Sequence, residues 1–491
     1  MHLVHCGCVI TQQGQDFKIK MANESTENPP LEKNKSVKGY ASKVFKESSV
    51  SALSAIVSTA NTPRKVFRIL VFVLFSAGFL YQCIKFLSYI LTYPTVVNIE
   101  IERPVKFLAP AYTFCNYNRI KRSKFCSKYP SNCIYPNEEF CNMYPNYCSD
   151  NSTKVPMVDS IGKLGYDDTI ELGHDWKNLL IQEAWEEPDG PFLRLNAEEE
   201  VPVTCYSLGE RIDDPREARF KEKEMWNVDD DEFVFDPEEN DLFDPDSKPG
   251  IIFAIHSPFE AIDPFEKGIF MKPGYLYRIT LQMTQEELLP HPYKTDCLNY
   301  TEIWLKSDRT GPRSQEMCRY KCVRDAFEYC VHCTDIHILY PKKTRICETD
   351  KYENVCPLVS SPGNLNLWDR MEPCIRNCKD DCLRMKFSYK VQESYITQKM
   401  MFNNTSKPSR IIKVKIYFDD SEIIKIRYRP QFQEVEAFSY IGGFIGIWLG
   451  VSLVQVADVF ESIFRITRYV FRKGTSVCSS ETQAKPEDNA V

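Results

Sequence analysis

The chain has 491 residues, of which 43% are hydrophobic and 26% charged, with a formal net charge of −7 and a mean hydropathy of −0.37. The acidic balance and the lack of a basic stripe interleaved with aromatics argue against a nucleic-acid partner. No G-x-S-x-G elbow, H-E-x-x-H pair or Walker loop occurs, and no enzyme, metal or cofactor is expected.

Residues 1–65 are polar and rich in Ser, Thr and Lys, apart from an apolar patch at Val50–Val57, and form a predicted cytoplasmic segment. Residues 66–93 hold the first predicted membrane helix. Its core, ILVFVLFSAGFLYQCIKFLSYIL from Ile69 to Leu91, has Lys85 as its only charge and exceeds the roughly 20 residues that a hydrocarbon core needs. Nothing before Leu53 resembles a signal peptide, so this span is expected to be an uncleaved anchor. Residues 94–436 are expected outside, 437–471 form a second membrane helix, and 472–491 a cytoplasmic tail. Arg64, Lys65 and Arg68 before the apolar stretch Ile69–Leu91, and Arg465, Arg468, Arg472 and Lys473 after the uncharged stretch Ile441–Ala457, place both termini in the cytoplasm by the positive-inside rule.

Cysteine usage supports that topology. Of 20 cysteines, 16 lie between Cys115 and Cys382, the signature of an oxidising compartment. Cys126, Cys133, Cys141 and Cys148 staple a loop-rich Tyr/Pro/Asn region with open connectivity. Ten more form a dense block from Cys297 to Cys382. Zinc is the competing reading there, because Cys330 and Cys333 have ligand spacing with His332 and His337 nearby; an even count in an outside loop favours disulfides. Sequons at Asn151, Asn299, Asn403 and Asn404 are candidate glycosylation sites. Asp229–Asp246 carries ten acids and is expected to be a solvated loop; it lacks the EF-hand pattern. IIKVKIYFDDSEIIKIRYRP alternates on both sides of DDSE, which predicts a β-hairpin leading into the second span.

That span reads SYIGGFIGIWLGVSLVQVADVFE. Gly442, Gly446 and Gly450 give small-xxx-small spacing for helix packing, and Asp458 and Glu461 are expensive in lipid unless they face water. A ring of Asp458 would attract cations; the alternative is that both acids lie at the headgroups beside Arg465 and Arg468. Gly446, Gly450, Val454, Asp458 and Glu461 share one helical stripe, whereas Ser452 lies about 200° from Gly450. For Gly450 and Ser452 to line one pore, the helix must break at Gly450-Val451-Ser452.

Four stretches resemble the degenerin/epithelial sodium channel family, which includes acid-sensing channels: FLAPAYTFCNYNR (Phe107–Arg119), GIIFAIHSP with LLPHPYKTDC, the ordered cysteine block, and the second span. The resemblance covers about residues 40 to 473. It implies an α+β membrane protein with two transmembrane helices and a large disulfide-rich extracellular domain of palm, β-ball, knuckle, finger and thumb, assembled as a trimeric channel in the plasma membrane. It further implies disulfides Cys115–Cys205, Cys297–Cys382, Cys318–Cys378, Cys322–Cys374, Cys330–Cys356 and Cys333–Cys347. Gly450, Val451 and Ser452 match the selectivity filter, Ser439 the position where bulky residues hold degenerin-type channels open, Gly446 a position of amiloride block, and Asp458 and Glu461 the acids of the lower pore helix.

The expected function is therefore that of a sodium-selective, amiloride-sensitive cation channel subunit in a homo- or heterotrimer, gated by its ectodomain. Sodium preference rests on the resemblance alone. Two departures stand out: Ser51 and Ala52 replace the family's His-Gly, implying altered opening or dependence on a partner subunit, and the tail lacks P-P-x-Y. The competing reading is another two-span surface receptor, purinergic-like or scavenger-like. The first would need a lysine cluster for triphosphate, which is not evident; the second would need no filter.

Overall fold

The computed structural model describes residues 37–46, 50–148, 153–157, 164–182, 184–196, 201–212, 214–222, 230–341, 345–347, 356, 366–397 and 410–481. Asn151, Asn403, Asn404 and Asp229, and the side chains of Ser51 and Ala52, lie outside this description. The chain divides into two compact units, residues 1–87 with 434–491 and residues 88–433.

The first unit is helical. Val37–Lys46 and Ser51–Ser58 precede the 29-residue helix Thr62–Ile90, the one described helix long and apolar enough to cross a membrane by itself. Glu434–Leu449 and the start of Leu453–Glu481 meet the same test only when taken together, and they bend by 78° at the break between them. From the first turns of the apolar helix, Arg68 donates to Ala55 O at 2.8 Å, and Tyr40 stacks on Tyr469 at 4.1 Å. The Val50–Val57 patch therefore lies on an ordered helix, preceded by a second helix that composition did not reveal.

The larger unit is built on two five-stranded sheets. In the first, the order is Thr95–Glu102, Ile412–Pro430, Tyr275–Glu287, Leu383–Tyr395, with Asp231–Phe235 also paired to Ile412–Pro430. In the second it is Ile269–Met271, Ile251–His256, Ala111–Asn116, Val201–Leu208, Asp189–Asn196. Ala111–Asn116 and Ile251–His256 are buried at every position, as apolar runs in a central sheet should be. Tyr275–Glu287 alternates instead, and its inward Tyr277, Ile279, Leu281 and Met283 join Phe114, Phe233, Phe235 and Phe253 in one aromatic-rich core.

Two expectations are overturned here. Ile412–Pro430 is one 19-residue strand, not a hairpin. Its first half pairs with Asp231–Phe235, its second with Thr95–Glu102, and both run parallel to Tyr275–Glu287. Continuous partners outweigh the turn propensity of DDSE, which becomes a bulge: Leu281 faces Phe418 but Met283 faces Ile423. The acidic stretch, likewise, is no solvated loop in its described part. Asp231 is buried between Arg219 (2.9 Å) and Lys221 (3.1 Å), and Phe233 and Phe235 are core residues. The paired VF of that stretch was the signal, and its acids find cations on neighbouring elements.

Disulfides join Cys115–Cys205, Cys297–Cys382, Cys318–Cys378, Cys322–Cys374, Cys330–Cys356 and Cys333–Cys347, together with Cys126–Cys133 and Cys141–Cys148, whose pairing the sequence left open. The helix Gln315–Val331 presents Cys318 and Cys322 four residues apart, and Leu367–Asn377 presents Cys374 with Cys378 as its C-cap, so two bridges staple the pair together. The Cys330/Cys333 pair is consumed by disulfides, which leaves the zinc reading no thiolates there.

Candidate functional site

The second membrane segment is interrupted at the residues singled out from the sequence. Glu434–Leu449 ends as Gly450 N donates to Gly446 O at 3.1 Å. Gly450 then takes φ +62, a left-handed conformation that stops a helix readily only at glycine. Ser452 starts the next helix as a reciprocal cap: its Oγ accepts from Gln455 N (3.3 Å), and its N donates to Gln455 Oε1 (2.8 Å). The S-x-x-Q pattern of this cap overlaps the filter motif in the sequence.

One face of Glu434–Leu449 grips the apolar helix. Tyr440 and Phe444 each lie 5.4 Å from Phe86, and Trp448 donates through Nε1 to Gln82 Oε1 at 2.6 Å. A Cβ on Gly78 would sit 2.6 Å from the Trp448 ring, so that glycine makes the close approach possible. Tyr440, Phe444 and Trp448 are spaced by four, whereas Ser439, Gly442, Gly443 and Gly446 fall roughly on the opposite side of the helix. A Cβ at Gly442, Gly443, Gly446 or Gly450 would meet nothing within 4 Å. Ser439 Oγ donates to Val435 O at 2.8 Å on that open side. The clue to this contact in the sequence is Gln82, a glutamine amid 23 apolar-rich residues.

Beyond the break the single stripe of the sequence reading is divided. Gly446 belongs to the helix before the bend, and Val454, Asp458 and Glu461 to the helix after it. Glu461 is ion-paired with Arg465 one turn on.

In the larger unit, the strands that adjoin the membrane segments in the chain are paired with each other, Thr95 opposite Pro430 through Glu102 opposite Ile423. Arg427 bridges Glu100 (2.8 Å), Glu102 (3.3 Å) and Glu287 (3.0 Å), tying together three strands. A hydrogen bond from Lys425 keeps the Glu102 carboxyl below its ordinary range. Tyr89 donates to Gln431 Oε1 at 2.8 Å, and Tyr93, at φ +50, meets the ring of Tyr293 edge-on. Asn299 caps the helix Tyr300–Lys306 by accepting from Glu302 N at 3.1 Å, with its side chain on the surface.

Residues 44–462 match the family described as amiloride-sensitive sodium channel. Acid-sensing ion channel 1C of Danio rerio is 21% identical over 79% of this chain and 76% of its own length. Acid-sensing ion channel 1A of the same organism is 23% identical over 86% and 87%. The epithelial sodium channel subunit beta of Rattus norvegicus is 22% identical over 45% and 37%. A match that runs from the helix before the apolar span to the far side of the interrupted helix, through the disulfide-rich domain, shows that the chain belongs to the amiloride-sensitive sodium channel family, whose members are ion channels and not enzymes.

Proposed function

We propose that the chain is one subunit of a sodium-selective, amiloride-sensitive cation channel of the plasma membrane, with two spans per subunit, both termini cytoplasmic and three like or related subunits around one pore. The observation that carries this reading is the interruption at Gly450-Val451-Ser452. Unwound backbone in an apolar segment is tolerated only where protein or a water-filled cavity meets its polar groups. Three copies of Gly450 C=O and the Ser452 hydroxyl would replace part of a sodium ion's water shell. The open glycine face of Glu434–Leu449, turned away from the aromatic seam, supports the same assignment, with Gly446 as the blocker position and Ser439 as the gating position.

Asp458 is the ring carboxylate in this reading. Glu461, engaged by Arg465, stabilises the helix and contributes less to the ion path. The disulfide-stapled ectodomain gates the pore through the strand pair Thr95–Glu102 and Ile412–Pro430.

The test is current recorded under voltage clamp from cells expressing the chain alone and with related subunits. Ser452→Asp should alter sodium-to-potassium preference and conductance. An unaltered preference in a conducting channel would overturn the filter assignment.

A further inference from the structure

A cavity of about 620 Å³ opens in the larger unit, between the strands Asp189–Asn196 and Val201–Leu208 and the residues that follow the disulfide-stapled helix Gln315–Val331. That volume suits a small ligand. Its interior is dominated by one cation. Arg194 is 6% exposed and lies with its guanidinium 4.4 Å from the Phe192 ring. Its Nη1 donates to Leu193 O at 3.2 Å, and its Nε has no partner. Among the described residues, no carboxylate forms an ion pair with it. A buried charge in that condition is costly unless something compensates it.

Two carboxylates, Glu210 and then Asp263, favour the Arg194 charge from a distance, and of these Glu210 lines the same cavity. Burial pushes its carboxyl up to about 7 in spite of Arg194, so at neutral pH it supplies only part of a negative charge. Ser207, also buried, adds a hydroxyl to the lining. Leu339 and Ile212 make apolar walls. The mouth is acidic on balance: Asp189 and Asp214 stand around Arg216 at 3.6 and 2.6 Å, and Asp167 adds an exposed carboxylate, against the exposed guanidinium of Arg345.

We propose that this cavity is a binding site for a small zwitterionic ligand, an apolar amino acid or a short peptide with a free carboxylate, whose carboxylate pairs with Arg194 and whose ammonium meets the acids at the mouth. A fatty acid would satisfy Arg194 but bring no cation to the mouth. An amidated peptide would satisfy the mouth and leave Arg194 uncompensated. The zwitterion alone meets both ends, with its side chains against Leu339 and Ile212. The site is independent of the conduction reading.

The test uses the full-length chain purified in detergent, with calorimetric binding of three probes: the dipeptide Leu-Phe, its C-terminal amide, and octanoate. Leu-Phe is expected to bind, and the amide to bind roughly 10- to 100-fold more weakly, the cost of a lost charge-assisted pair. Octanoate should also bind more weakly than Leu-Phe. Arg194→Gln should erase the difference between acid and amide. Since removing a buried arginine also challenges folding, Leu339→Trp provides a second variant that fills the cavity and keeps Arg194; it should lose Leu-Phe. Equal affinity for acid and amide, octanoate binding tighter than Leu-Phe, no binding of Leu-Phe at about 10 mM, or undiminished binding in folded Leu339→Trp would each overturn the proposal.

Discussion

The ring of Tyr93 meets the ring of Tyr293 edge-on at a centroid separation of 5.7 Å. Tyr93 closes the turn that follows the apolar helix, and Tyr293 lies just before the disulfide block, so one aromatic pair joins segments 200 positions apart in the chain. Tyr93 holds this place with φ +50, a conformation that a bulky residue adopts only when its surroundings impose it. Tyr93→Ala and Tyr293→Ala should each impair opening of the channel at normal surface abundance. The double variant should be little worse than either single one, with a coupling of about 1 kcal/mol in a double-mutant cycle. Simple additivity would dismiss the pair as a functional link.

Ser452 serves as a helix cap, and its proposed ion-contact role can be separated from that. Gln455→Ala removes the reciprocal half of the cap but leaves the hydroxyl, and should cost about 1 kcal/mol of stability without changing selectivity. Ser452→Ala should cost a similar amount and also shift selectivity. Reversal potentials in mixed sodium and potassium solutions distinguish the two, and identical selectivity in both variants would leave Ser452 as a cap alone.

Gly78→Val should drive a side chain into Trp448 and lower the melting temperature of the solubilised protein, at a cost of roughly 1–3 kcal/mol. Adding Trp448→Ala should restore part of that loss, because the obstructing ring is gone. Unchanged melting in the single variant would show that the two helices can part without penalty.

How much of this was legible in advance depended on the kind of signal. The interrupted helix followed from the phase of Gly450 against Ser452 once the family resemblance put both in one filter, and the same resemblance, not the spacing, supplied the pairings of the cysteine block. The hairpin failed because alternation on both sides of DDSE is the same pattern whether the chain turns or runs on. Only the distant strands Thr95–Glu102 and Tyr275–Glu287 decide between them. The acidic stretch misled for a related reason. Composition records Asp231 but not Arg219, Lys221 and the Tyr112 hydroxyl that fold brings to it.

Acidification should weaken the larger unit at His174. Asn118 donates to its Nε2 at 2.8 Å and its Nδ1–H donates to Glu238 at 2.6 Å, which fixes the neutral ring. Burial holds His174 below its ordinary 6.5. Burial alone would raise Glu238, but its bonds to His174 and Lys121 outweigh that and lower it. Both groups therefore lend stability that is complete above about pH 6.5 and lost as pH falls, because the unfolded chain takes up protons that the folded one resists. The melting temperature should drop between about pH 7 and 5, and His174→Gln should flatten the drop. An equal slope in the variant would exclude His174 as a source.

Asp381 should act in the other direction. Burial first, and then the charge of Glu260, push its carboxyl up to about 7. A carboxyl raised in the folded state favours that state while protonated, so stability declines as pH rises through about 7. Asp381→Asn keeps an acceptor for Gln315 N, which donates at 3.0 Å, and should raise the melting temperature most at alkaline pH. A uniform shift at all pH values would point to packing instead.

The long strand Ile412–Pro430 also behaves as a strap. Its two straight runs, on either side of the bulge, advance about 3.3 Å per residue, and extended hydrogen-bonded backbone has little further length to give. A tug at its start must reappear at Pro430, four positions before the interrupted segment begins, unless it is taken up along the way. The bulge at DDSE is the place where slack exists. Deleting part of it would take up that slack and leave both ends correctly paired, so the opening threshold of the channel should depend on the slack in this strap as a tent depends on its guy line.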